Sequence, residues 1–165
     1  MSFRSHFRSI ARRFAAVLAL SVAAASTAFA QQGATALNVD DNGVILKGYD
    51  AVAFHTMMKP MKGSMEFTAT HAGAIYAFAS AANRDMFKAD PAKYAPAYGG
   101  YCAMGVAVGK KLDGDPAAFT VNNGKLYLNV NKNVSTMWAK DIAGNNKKAD
   151  MNWSKVAVHR GFDSM

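Results

Sequence analysis

Lys93-Tyr94-Ala95-Pro96-Ala97-Tyr98-Gly99-Gly100-Tyr101-Cys102-Ala103-Met104-Gly105 is the stretch around which the rest of the chain is read. Three tyrosines, Tyr94, Tyr98 and Tyr101, fall within eight residues. Gly99-Gly100 allows a turn or a close backbone approach, because a residue without Cβ takes positive φ at little cost. Cys102 follows as the single cysteine of the chain. Pro91 and Pro96 bracket the approach and discourage a long helix there.

Upstream of it, Ala74 to Ala79 supplies Ile75, Tyr76 and Phe78, good strand formers, and His71-Ala72-Gly73 reads as a turn after the weakly alternating Met65 to Thr70. A first hairpin is expected there. Ser80 is placed to cap a helix over 81–89, and Asp90-Pro91 ends it and opens a second short turn reaching Tyr94. Ala51-Val52-Ala53-Phe54 is apolar without a break and fits a buried strand or a helical turn equally well. Thr56 to Ser64 is an exposed loop.

Downstream, Ala103 to Val108 is apolar and Lys110 to Asp115 is a charged loop. Asn122-Asn123-Gly124 between Phe119-Thr120-Val121 and Lys125-Leu126-Tyr127-Leu128 predicts a hairpin with a type I′ turn. Asn131 or Asn133 can cap the next helix, with Val134 and Trp138 on one face. Asp141 to Gly144 reads as a break, and Lys147 to Val156 as a final helix that buries Trp153. The pattern as a whole is α+β: short antiparallel hairpins packed against two or three helices.

The chain has 165 residues. Residues 1–30 read as a cleavable signal peptide, with Arg4, Arg8, Arg12 and Arg13, an apolar run over 14–25 and the small-x-small site Ala28-Phe29-Ala30. Export to the periplasm or outside the cell is expected, without stable membrane insertion after cleavage, because the apolar run is shorter than a span. Residues 31–43 are a flexible leader, 44–157 the domain and 158–165 a tail. Removal of the four arginines takes Lys+Arg from 19 to 15 against 11 acids, so the net charge falls from +8 to +4. That level argues against nucleic acid as a partner, and the pairs Lys110-Lys111 and Lys147-Lys148 read as solvated faces. A single cysteine in an exported chain makes no internal disulfide, so the thiol is either buried and inert or exposed and reactive.

The chain resembles the YHS-domain family in its exported, single-domain branch. The resemblance rests on Gly48-Tyr49-Asp50-Ala51-Val52-Ala53, on Gly73-Ala74-Ile75-Tyr76-Ala77-Phe78-Ala79-Ser80, on Asn83-Arg84 with Phe87, and on Pro91 to Pro96. It continues through Tyr98-Gly99-Gly100-Tyr101-Cys102-Ala103, Gly124 to Asn129, and Ala149-Asp150 with Asn152-Trp153, covering roughly residues 44 to 155. It implies a small α+β module of the kind associated with heavy-metal transport and metal handling. In the metal-associated branch cysteines stand where this chain has Ala79 and Asn83, and no thiolate site forms from alanine and asparagine.

Other soft or imidazole ligands remain. Cys102 is either a buried small hydrophobe or a ligand. His55 precedes a loop in which Met57, Met58, Met61 and Met65 place four thioethers in nine residues, and Met104 lies two residues from Cys102. Thioethers suit Cu(I), above all where thiols are scarce; flexible gap-filling of a core is the plainer use of methionine. His71 and His159 are weaker candidates. Tyr94, Tyr98 and Tyr101 either line a pocket for a small ligand or form an aromatic core whose hydroxyls find partners, with Asp50, Asp90 or Arg84 as candidates.

No His-x-x-x-His pair or phosphate loop occurs, and Glu66 is the sole glutamate. The expectation is therefore a non-catalytic binding protein. Its favoured ligand is a soft metal such as copper, held by Cys102, His55, Met57, Met58 and Met104. The alternatives are a metal-free small-ligand or protein-interaction module built on the tyrosines, or a thiol redox sensor.

Overall fold

The computed structural model describes residues 37–159 and 161–165. The expected signal peptide over residues 1–30, and the leader as far as residue 36, lie outside the described residues. Among the described residues six α-helices and two two-stranded antiparallel sheets make up the α+β fold. In chain order they are α1 (Ala51–Thr56), β1 (Ser64–His71), β2 (Ala74–Phe78), α2 (Ala81–Ala89), α3 (Pro91–Tyr94), α4 (Ala103–Ala107), β3 (Asp115–Asn122), β4 (Lys125–Asn129), α5 (Lys132–Ala139) and α6 (Ile142–Val158).

Both hairpins turn on two residues of positive φ. Asn123 and Gly124 lie at 48° and 72°, and Ala72 and Gly73 at 51° and 89°. These are the signs a type I′ turn requires, and they match the right-handed twist of the flanking strands. The helix starts follow the capping rule that a side-chain oxygen takes an orphan N–H of the first turn. Ser80 accepts from Asn83 N, Asp90 from Lys93 N ahead of Pro91, and Asn131 from Val134 N.

β4 separates two cores. Leu126 and Leu128 point to one side with Ile45, Phe54, Tyr76, Phe78, Phe87 and Tyr94, whereas Tyr127 points to the other with Tyr98, Tyr101, Val106, Trp138 and Val156. The alternation of a strand, two residues per repeat, produces this division. In the first core the Phe87 ring lies 4.4 Å from Tyr76 and 5.1 Å from Phe78. In the second, Tyr127 lies 4.7 Å from Trp138. The opening stretch runs parallel to β4, with bridges from Pro96 to Leu126 and from Cys102 to Leu128.

Two stretches that the sequence left open are resolved, and three local expectations are corrected. Of the two readings open for Ala51-Val52-Ala53-Phe54 the helical one holds, because Asp50 accepts from Val52 N and Ala53 N and so starts α1. Ala103 to Ala107 is also a helix; its small residues let it lie close against α6, where Asn152 Nδ2 donates to Val106 O and Ala107 O at 3.2 and 3.0 Å. The break expected over Asp141 to Gly144 is confined to Lys140-Asp141: Asp141 caps α6 by accepting from Gly144 N, so the last helix starts five residues earlier than expected. Lys111 is buried rather than solvated. The last residues of the expected leader are also tied in, with Asn38 N donating to Gly99 O at 2.8 Å and Val39 bridging Ile45.

Candidate functional site

Cys102 is fully buried, at 0% exposure. Its backbone N donates to Leu112 O, and its Sγ occupies the cap position of α4, accepting from Gly105 N at 3.3 Å. The thiol lies 3.6 Å from Asn129 Oδ1, which also accepts from Met104 N at 3.1 Å. Burial pushes the thiol above its ordinary value, against the opposing pull of backbone groups of Gly105, Val130 and Met104. A reactive thiol requires the opposite direction. Cys102 is thus a packed helix cap, and Met104 beside it packs partly buried against the second core.

Tyr94, Tyr98 and Tyr101 are core residues. Tyr98 donates its hydroxyl to Asp150 Oδ1 at 2.9 Å, and Tyr101 donates to Leu37 O at 3.1 Å. The partners are therefore Asp150 and a backbone carbonyl, not Asp50, Asp90 or Arg84. Asp150 was out of reach of sequence reasoning because α6 brings it back across fifty residues. Burial, together with the Asp150 carboxylate, raises the Tyr98 phenol well above its ordinary value. Tyr94 packs in the other core, on the far side of β4 from Tyr98 and Tyr101, so the three do not line one pocket.

His55 closes α1 and stands edge-on to Tyr94, with ring centroids 5.3 Å apart. Its Nε2 is buried and has no hydrogen-bond partner among the described residues. Burial, and secondarily the Lys93 ammonium, lower its pKa below 6.5. It is therefore neutral at pH 7, the form in which imidazole ligates metals. The helix ends directly into the methionine loop. Met57, Met58 and Met65 are 46%, 58% and 62% exposed, and Met61 is half-buried. Met58 holds a φ of 51°, a conformation unusual for a side chain of its size.

The expected ligand set is divided between two elements of the fold. His55, Met57 and Met58 are contiguous at the end of α1, whereas Cys102 and Met104 belong to the start of α4. Among the described residues no group of three or more His, Cys, Asp and Glu side chains is placed to hold a metal ion. No helix among them is long and apolar enough to cross a membrane.

Sequence reasoning missed the part played by Asp50. Fully buried, it accepts from Val52 N, Ala53 N, Ala79 N and Asn83 Nδ2. The signal for it was present, an aspartate directly before an apolar run, which is a capping pattern. Comparison with family models, curated proteins and solved structures found no match to the chain.

Proposed function

We propose that this chain is an exported, non-catalytic binding protein of YHS type, whose ligand is Cu(I) taken up by the methionine loop and the neighbouring His55. The observation that carries this reading is the exposure of the thioethers. Methionine used as core filler is buried, whereas Met57, Met58 and Met65 face solvent. Soft, neutral thioethers with a neutral imidazole form a donor set that favours Cu(I) over hard cations. Export is supported by the arginines, apolar run and Ala-Phe-Ala site of residues 1–30. Cys102 lies outside this site.

The test is a Cu(I) competition titration against a chromogenic chelator under reducing conditions, using the protein as the cell processes it. The parent is expected to compete stoichiometrically. A Met57→Leu/Met58→Leu double variant should weaken binding by about tenfold or more, and Cys102→Ala by no more than about twofold. Loss of binding in Cys102→Ala with retention in the double variant would overturn the assignment. A parent that never competes would leave the same exposed methionines as an adaptable protein-docking surface, the second reading that their exposure supports.

A further inference from the structure

The expected tail is strapped to the domain through Asp163. Lys111 N donates to Asp163 Oδ2 at 2.6 Å, and Asp163 N donates back to Lys111 O at 2.8 Å. His159 Nε2 lies 3.4 Å from the other carboxylate oxygen, Oδ1. Lys110 Nζ holds Ser164 O at 2.9 Å, and Phe162 stands against Tyr101 with ring centroids 6.0 Å apart. Beside this strap is a cavity of about 210 Å³ bordered by Lys111, Asn152, Lys155, Val156, His159 and Asp163.

The lining is unbalanced in charge. Lys111, Lys155 and His159 supply cationic or N–H groups, Asn152 an amide and Val156 an apolar wall, while Asp163 is the single carboxylate. Lys111 Nζ is engaged by His159 O at 2.6 Å and lies 4.8 Å from the Tyr101 ring centroid, which fixes the lysine and its backbone N–H in place. Lys155 takes part in none of the ion pairs among the described residues. The two oxygens of Asp163 are divided between a main-chain N–H and an imidazole.

We propose that this cavity is a binding site for a small carboxylate, and that Asp163, on its wall, holds the carboxylate position of that site. An external carboxylate takes the place of the Asp163 side chain on Lys111 N and His159, and Lys155 supplies the remaining positive charge. A tethered group competes at a high effective concentration. The chain with its own strap in place therefore binds such ligands weakly, and release of the strap exposes the site. The strap lies on the α4–α6 side of the molecule, and the inference does not depend on the copper reading.

The experiment follows the His159 imidazole signal by NMR, assigned with a His159→Gln variant, during titrations with acetate, succinate and inorganic phosphate. Asp163→Asn is expected to bind acetate or succinate about tenfold more tightly than the parent, and adding Lys155→Ala should reverse most of that gain. Asp163→Ala removes the same carboxylate and should reproduce the effect if Asp163→Asn folds poorly. No carboxylate-dependent shift in either variant would overturn the proposal. A shift with phosphate but with neither carboxylate would overturn the assigned ligand class.

Discussion

Asn83 Nδ2 donates to Asp50 Oδ2 at 2.6 Å, tying α2 to the start of α1. The same oxygen accepts from Ala79 N at 2.8 Å. Both serve a buried carboxylate that also starts a helix, so this corner of the molecule is held by hydrogen bonds to one acceptor.

Removal of Asp50 should accordingly be among the most damaging single changes. Asp50→Ala leaves four donors without their acceptor, and each buried orphan costs about 1–3 kcal/mol. The expected loss is about 3 kcal/mol or more, read as a lower denaturant midpoint at unchanged slope. Asp50→Asn turns one acceptor into a donor facing other donors and should also destabilise. Asn83→Ala, which removes one of four donors, should cost only about 1–2 kcal/mol. Equal effects of Asp50→Ala and Asn83→Ala would contradict this account.

The elements governed by local chemistry were legible in the sequence. Asn123-Gly124 needs positive φ at both positions and announces its hairpin, and Ser80, Asp90 and Asn131 announce their helices. What was not legible depends on contacts far apart in sequence. Cys102 is buried and caps a helix beside β4, and that burial is a property of the packing. Lys111 is buried because a segment fifty residues away covers it. The candidate ligands His55 and Met57–Met58 are neighbours in sequence and remained together in the structure, whereas the grouping of Cys102 with them had no local basis.

Alkaline pH should destabilise the fold through Tyr76. Burial raises its phenol from 10.0 to about 12. The folded state therefore keeps a proton that the unfolded chain gives up, so this contribution is fully present below pH 10 and is lost as pH rises toward 12. Two units correspond to about 2–3 kcal/mol. Cys102, raised by burial above 9.0, acts in the same direction and begins earlier. Denaturation at pH 7, 9 and 11 should show a falling limb above pH 9. That limb should be shallower in Tyr76→Phe; an identical limb in the variant would rule out this source.

The Cys102 thiol should resist labelling in the native protein. It is fully buried and predominantly protonated at pH 8, where thiol reagents attack the thiolate. Labelling must pass through opening of the α4 region, so its rate should rise with denaturant well below the unfolding midpoint or together with it. Cys102→Ala removes the acceptor for Gly105 N and should cost about 1–2 kcal/mol. Rapid stoichiometric labelling without denaturant would return Cys102 to the list of reactive thiols.

Glycine substitutions should separate steric from conformational cost in an order opposite to a turn-based reading. Gly48 has a φ of 75°, which invites the inference that it is indispensable, yet an added Cβ there meets nothing within 4 Å. Gly48→Ala should therefore cost only the left-handed backbone penalty, about 1–2 kcal/mol. Gly114 lies in a loop that looks solvent-exposed in the sequence. In the structure it is buried, and an added Cβ would fall on the Gly100 carbonyl oxygen and 2.9 Å from Leu128 Cβ. Neither atom can swing away, because Gly100 belongs to the turn before Cys102 and Leu128 is locked in β4. Gly114→Ala must push the β3 approach off the Tyr-Gly-Gly-Tyr-Cys segment, and overpacking of that kind costs about 1–3 kcal/mol or more. Equilibrium denaturation of the two variants should rank Gly114→Ala as the more destabilised. The reverse order would mean that backbone strain at Gly48, and not the close contact of Gly114 with β4, limits the stability of this fold.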